Sequence, residues 1–138
     1  MSVAYNRKMR NVEVRWAKGK LAQDVEVGGH RIRSDEEVEK RGEDTGATPH
    51  ELLLAALGSC TAMTLKVYAE RKGWPLKDVH VKLNGATGEN GLAITREVTI
   101  DGELTGEQRQ RLIEIADKCP VHRSLVGDIS ITTTAVAS

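Results

Sequence analysis

Phenylalanine is absent from this 138-residue chain, and all aromatics together make up only 3%. Stacking platforms for single-stranded nucleic acid are therefore not expected. Net charge is lacking too, since 20 basic residues balance 20 acidic ones. No global field draws the chain to nucleic acid or to an anionic membrane. The N-terminus has no apolar stretch behind Arg7 and Lys8, so no secretory signal is read there. The most apolar run, Leu52 to Leu57, falls far short of a membrane span. These absences imply a soluble, cytoplasmic protein, with neither nucleic acid nor membrane as partner. Cysteine is sparse, with two copies. In a reducing compartment such thiols are more often free, catalytic or metal-bound than a static staple.

What is present fits one domain over residues 1–138. A hydrophobic fraction of 39% is enough for a core, and 29% charge suits a wet surface. Residues 1–10 read as a flexible arm or edge segment. Val12, Val14 and Trp16 alternate with polar residues, as a strand does. Val25 and Val27 continue a second strand. Gly28-Gly29 signals a hairpin, because both residues tolerate positive φ, and His30 to Arg33 returns as a third. The charged stretch from Asp35 to Ala47 reads as an exposed loop.

A helix is expected from Pro49 to about Lys72. Thr48 can cap it, with Pro49 at N1 and Glu51 at N3 completing a capping box. Gly73 and Pro75 terminate it. Its first half is apolar on nearly every side and needs burial all round. One chain has little material to surround it, which points to a second copy. Val79, Val81 and Leu83 mark a fourth strand, Asn84 to Gly91 a Gly-rich turn, and Ile94, Val98 and Ile100 a fifth strand. Thr105 to Gln108 offers a second capping box. The helix behind it places Leu112, Ile115, Ala116 and Cys119 on one face. Pro120 stops that helix. Val121 to Val126 is a short extra helix, and Ile129, Ile131, Thr133 and Ala135 alternate as a last strand. The order is β-β-β-α-β-β-α-β. An α+β fold of antiparallel sheet on two helices follows.

Cys60 lies mid-helix, where a small buried hydrophobe is the simplest reading. Cys119 lies at a helix end, just before a Pro that can open another helix. A thiolate there would be favoured by backbone N–H groups, with His122 and Arg123 within one turn; plain core packing is the other reading of Cys119. The two cysteines are 59 positions apart, each on the apolar face of a helix, and can meet in a core. Peroxide reduction uses such a pair. One thiolate becomes a sulfenic acid, a second thiol condenses with it, and an external dithiol restores both. Arg96 falls in the apolar phase of its strand and needs a partner if buried. It reads as a structural ion pair, as a strand edge that reaches solvent, or as a charge aimed at the thiols. Zinc could take Cys60, Cys119, His122 and His50. But His50 and Cys60 lie about 15 Å apart along one helix, so no metal or other cofactor is expected.

Two segments then carry a family resemblance. Thr48-Pro49-His50-Glu51-Leu52-Leu53-Leu54-Ala55-Ala56-Leu57-Gly58-Ser59-Cys60-Thr61-Ala62-Met63-Thr64 resembles the signature helix of the OsmC/Ohr family. Ile115-Ala116-Asp117-Lys118-Cys119-Pro120-Val121-His122-Arg123-Ser124-Leu125 resembles its second cysteine motif. The resemblance implies an OsmC-like fold, with antiparallel sheets on a long central helix, in an intertwined homodimer. It implies a peroxidase acting on organic hydroperoxides, in some members on hydrogen peroxide. Cys60 would attack the peroxide, Cys119 would resolve it as a disulfide, and a dithiol of lipoyl type would be the reductant. The alternative is a non-catalytic dimer binding a small apolar or electrophilic ligand. The family's glutamate after the proline is replaced here by His50, with Glu51 one residue later. Lys18 or Lys20 stands nearest the place of its catalytic arginine. Arg15, Arg96, His122 and Arg123 are the other suppliers of charge.

Overall fold

A computed structural model describes residues 8–137. The chain forms two compact units, Met1–Leu52 and Leu53–Ser138. The arm expected at residues 1–10 lies largely outside the described residues, and residues 8–10 carry no regular structure.

The first unit is a three-stranded antiparallel sheet in the order β1-β2-β3, from Glu13–Trp16, Gln23–Val27 and His30–Ser34. Gly28 and Gly29, at φ 54° and 81°, turn β2 into β3, as a two-residue hairpin of this hand requires. Behind β3 the charged loop folds around one carboxylate. Buried Asp35 accepts from the Thr45 hydroxyl at 2.6 Å, the Thr45 amide at 3.0 Å and the Glu36 amide at 2.8 Å. These donors, the Thr45 hydroxyl foremost, lower its pKa from 3.8 to about 2. A 3-10 turn at Val38–Lys40 occupies the loop. The sheet has almost no apolar core of its own, since Val14, Trp16 and Ile32 are exposed.

The long helix α1 spans Pro49–Lys72. Its start is the expected capping box: the Glu51 amide donates to Thr48 Oγ1, and the Thr48 amide to Glu51 Oε1. Gly73 ends it at φ 69°, with the Trp74 amide donating back to the Ala69 carbonyl, a Schellman closure. By length and composition α1 matches a membrane span, with a mean hydropathy of 1.5 over its best window. The six-residue run Leu52 to Leu57 understated this. The core helix of a globular domain passes the same test, and α1 carries a buried stripe. Leu57, Thr61, Leu65 and Ala69 are buried one turn apart. Leu65 and Ala69 pack with Leu112, Ile115 and Ala116 in the core.

Strands β4 (Leu76–Gly88) and β5 (Gly91–Gly102) form one long antiparallel hairpin. The sequence reading of Asn84 to Gly91 as a turn is corrected here. Pairing continues through Gly85–Ile94 to Gly88–Gly91, leaving only Glu89 and Asn90 between the strands. Cross-strand pairing outweighs the weak strand preference of glycine. Helix α2 (Gly106–Ala116) begins with the Thr105–Gln108 capping box and buries Leu112, Ile115 and Ala116. Arg109 ties it to the end of β5, donating to the carbonyls of Ile100 and Gly102. Helix α3 (Pro120–Val126) follows. The last expected strand is not formed: residues 128–137 have no regular structure, and Ile129, Ile131 and Val136 are exposed. Their alternation is that of a strand, but a strand needs an edge to pair with, and this segment pairs with none among the described residues. The element order is therefore β-β-β-α-β-β-α-α.

Candidate thiol site

The site lies in the second unit, where α1, β5 and α3 converge. Cys119 is the N-cap of α3 rather than part of α2, because Pro120 can open a helix but not continue one. It is fully buried, and its sulfur accepts from the His122 amide at 3.4 Å. Cys60, half-buried on α1, accepts from the neighbouring Val121 amide at 3.5 Å. The two thiols, 59 positions apart in sequence, thus take consecutive N–H groups of one helical turn. Both are free. The Thr64 hydroxyl lies 4.0 Å from the Cys60 sulfur.

Arg96 of β5 joins this cluster through Thr61 and His122. Its side chain is 11% exposed, and its partner Asp117 is 72% exposed at 2.8 Å. Nη1 donates to Thr61 Oγ1 at 3.0 Å, while Nη2 lies 3.0 Å from His122 Nδ1. A guanidinium has only hydrogens to offer, so His122 accepts at Nδ1 and carries its ring proton on Nε2. Thr61 is buried and lies 3.8 Å from the Cys119 sulfur. Arg96 forms an ion pair with Asp117, and its Nη1 hydrogen bond goes to Thr61, the neighbour of the Cys119 sulfur.

Of the other candidates, Arg123 is exposed beyond Cys119, its amide donating to the Cys119 carbonyl. His50 and Glu51 sit in the exposed first turn of α1, and Glu51 is engaged in capping. Lys18 and Lys20 lie in the link between β1 and β2, where the Lys20 amide donates to Glu43. Arg15 pairs with Glu13 on exposed β1. These four positions and Arg15 belong to the first unit. No group of three His, Cys, Asp or Glu residues is placed to hold a metal among the described residues. Thr61 and Asp117 were given no role in the sequence reading. Thr61 did leave a signal, as the one polar member of the stripe Leu57-Thr61-Leu65-Ala69.

Beside the cluster opens a cavity of about 610 Å³. Leu92, Ile94, Leu125 and Val126 form apolar walls, and Arg96 and His122 its polar corner.

Fold and site together define an α+β protein with paired thiols beside a buried arginine. The family profile described as OsmC-like protein matches residues 42–134. The chain belongs to the OsmC-like family. Solved structures of similar fold include an OsmC-like protein from Mycoplasma pneumoniae, at TM-score 0.75 and 19% identity, covering 87% of this chain and 89% of that one. An organic hydroperoxide resistance protein OsmC from Legionella pneumophila matches at TM-score 0.69 and 20% identity, covering 87% and 90%. The organic hydroperoxide resistance protein OhrB of Bacillus subtilis matches at 0.62 and 18%, covering 88% and 93%. A search among functionally curated proteins finds no significant match.

Proposed function

We infer that this chain is a cytoplasmic, homodimeric thiol peroxidase that reduces organic hydroperoxides. The observation that carries this reading is the seating of Cys60 and Cys119 on consecutive amides of α3, one half-exposed and the other sealed. The Cys60 thiolate attacks the O–O bond of the hydroperoxide. It becomes a sulfenic acid, and the alcohol leaves after taking up a proton. The Cys119 sulfur then attacks the Cys60 sulfur, the S–O bond breaks, and the hydroxide departs as water with the Cys119 proton. A dithiol, of lipoyl type by family resemblance, reduces the disulfide by exchange and is itself oxidised to a disulfide. The hydroperoxide-resistance proteins of similar fold support the same substrate class.

A homodimer is supported by the second face of α1. Leu53, Ala56, Cys60, Met63 and Val67 recur at three- and four-residue steps, the spacing of a helix-pairing seam. Leu53, Met63 and Val67 are exposed in the single chain. The strand pattern at residues 128–137 is a further surface for a second copy.

The experiment is titration with cumene hydroperoxide followed by mass spectrometry. Both free thiols are lost together, and a Cys60–Cys119 disulfide forms. Cys60→Ser abolishes turnover, whereas Cys119→Ser oxidises once and halts as sulfenic acid. Retention of both thiols in excess peroxide would sink the reading. It would favour the second one, a ligand-binding dimer, for which the apolar cavity beside Arg96 speaks. Thermal stabilisation by an apolar ligand would then be the positive sign. Sedimentation tests the dimer: the wild type runs at twice 15.1 kDa, and Met63→Glu lowers the mass towards one chain.

A further inference from the structure

Thr61 has one hydroxyl hydrogen and two lone pairs. The hydrogen goes to the Leu57 carbonyl at 2.7 Å. One lone pair takes the Arg96 Nη1 donor at 3.0 Å. Toward Cys119, 3.8 Å away, the oxygen can then only accept, so in this arrangement the thiol is the donor. The Cys119 sulfur itself accepts from the His122 amide. Thr61 and Cys119 are fully buried and the Arg96 side chain is 11% exposed.

Once Cys119 gives up its proton, that geometry turns unfavourable, because a thiolate would face an oxygen lone pair. Rotation about the Thr61 C–O bond removes the conflict by turning the hydroxyl hydrogen from Leu57 to the sulfur. The Leu57 carbonyl is not orphaned by this, since within a helix it also accepts the amide four residues on. Arg96 fixes the oxygen during the rotation and polarises the hydroxyl, which makes it a stronger donor. Arg96 is in turn held by Asp117 and His122.

We propose that Thr61 and Arg96 are positioning residues for the closure of the disulfide, with the Thr61 hydroxyl a two-way hydrogen donor that serves Leu57 while Cys119 is a thiol and Cys119 once it is a thiolate. This rests on the reading of Cys119 as the resolving thiol. In the step concerned, the Cys119 thiol and an oxidised Cys60 become one disulfide. Cys119 sulfur is oxidised, Cys60 sulfur is reduced, and the group on Cys60 departs with the Cys119 proton.

The test is rapid-quench kinetics on the full chain with two oxidants, trapping the Cys60 intermediate and the disulfide separately. Cumene hydroperoxide forms a sulfenic acid at Cys60. Diamide forms a sulfenyl-hydrazine adduct there, so closure is read even if peroxide is not a substrate. Thr61→Val keeps the shape and removes the hydroxyl. Closure slows on the order of tenfold to a hundredfold, the scale of one hydrogen bond to a charged group. The Cys60 intermediate accumulates, and its rate of formation changes far less. Thr61→Ser restores closure to within about threefold of wild type, as one hydrogen bond of similar strength is returned. Arg96→Gln, read in parallel, slows closure and guards against a misfolded Thr61→Val. Wild-type closure in Thr61→Val, or equal slowing in Thr61→Ser, overturns the proposal. Inertness of the wild type to peroxide with normal diamide closure overturns the peroxidase reading alone.

Discussion

Arg96 and Asp117 form an ion pair of unequal partners, and the two truncations should differ for that reason. The guanidinium is 11% exposed and the carboxylate 72%. Replacing Asp117 with Ala leaves a nearly buried cation with only neutral acceptors, Thr61 and His122. Losing the counter-charge of a buried group is expensive, and about 2–3 kcal/mol is expected. Replacing Arg96 with Met leaves a carboxylate already in water, where an exposed pair is worth at most about 1 kcal/mol. The Thr61 oxygen loses a donor, yet its own hydrogen stays bonded to Leu57, so no donor is stranded. The methionine stem keeps much of the packing. A total of about 1–2 kcal/mol follows. Equilibrium urea unfolding of both variants and the double variant measures the difference. In thermal melts the gap of about 1 kcal/mol corresponds to roughly 3–5 °C at this chain length. If Arg96→Met costs as much as Asp117→Ala, the argument from unequal solvation is refuted.

Two further perturbations concern the backbone and the acidic loop. Asp35 has a folded-state pKa lowered to about 2 from 3.8, chiefly by the Thr45 hydroxyl. A depressed value favours the folded state above pH 3.8, and that contribution fades as pH falls toward 2. Wild type should lose more melting temperature than Asp35→Asn between pH 5 and pH 2.5; parallel losses would exclude the linkage. Gly102 holds φ at +144°, and a Cβ there would lie 2.3 Å from the Pro75 carbonyl oxygen. Gly102→Ala should cost at least about 1–3 kcal/mol, read by the same unfolding assay, and an unchanged midpoint would contradict the strain.

Local signals in the sequence served the helices well. Thr48, Pro49 and Glu51 at one end and Gly73 at the other bracket α1, because caps act within a few residues of the groups they satisfy. The strand pattern at residues 129–135 failed for the opposite reason. Periodicity is local, but pairing depends on an edge supplied from elsewhere. The long hairpin of β4 and β5 was cut short on glycine composition, whereas register across the sheet decided it. In the site, Cys60, Cys119, Arg96 and His122 stood out by residue type. Thr61 and Asp117 did not, since a threonine in a helix and an aspartate at a helix end are ordinary. Their roles arise only when β5 carries Arg96 against both. The polar break in the buried stripe of α1 was the one legible hint.

Cys60 and Thr61 are adjacent in sequence, about 100° apart around α1, so the helix presents one thiol itself and touches the other through Thr61. Cys60 is half-buried, whereas Cys119 is fully buried. A small alkylating reagent added to the reduced protein therefore reaches Cys60 before Cys119. Alkylation of Cys119 then becomes a gauge of how often the core around it opens.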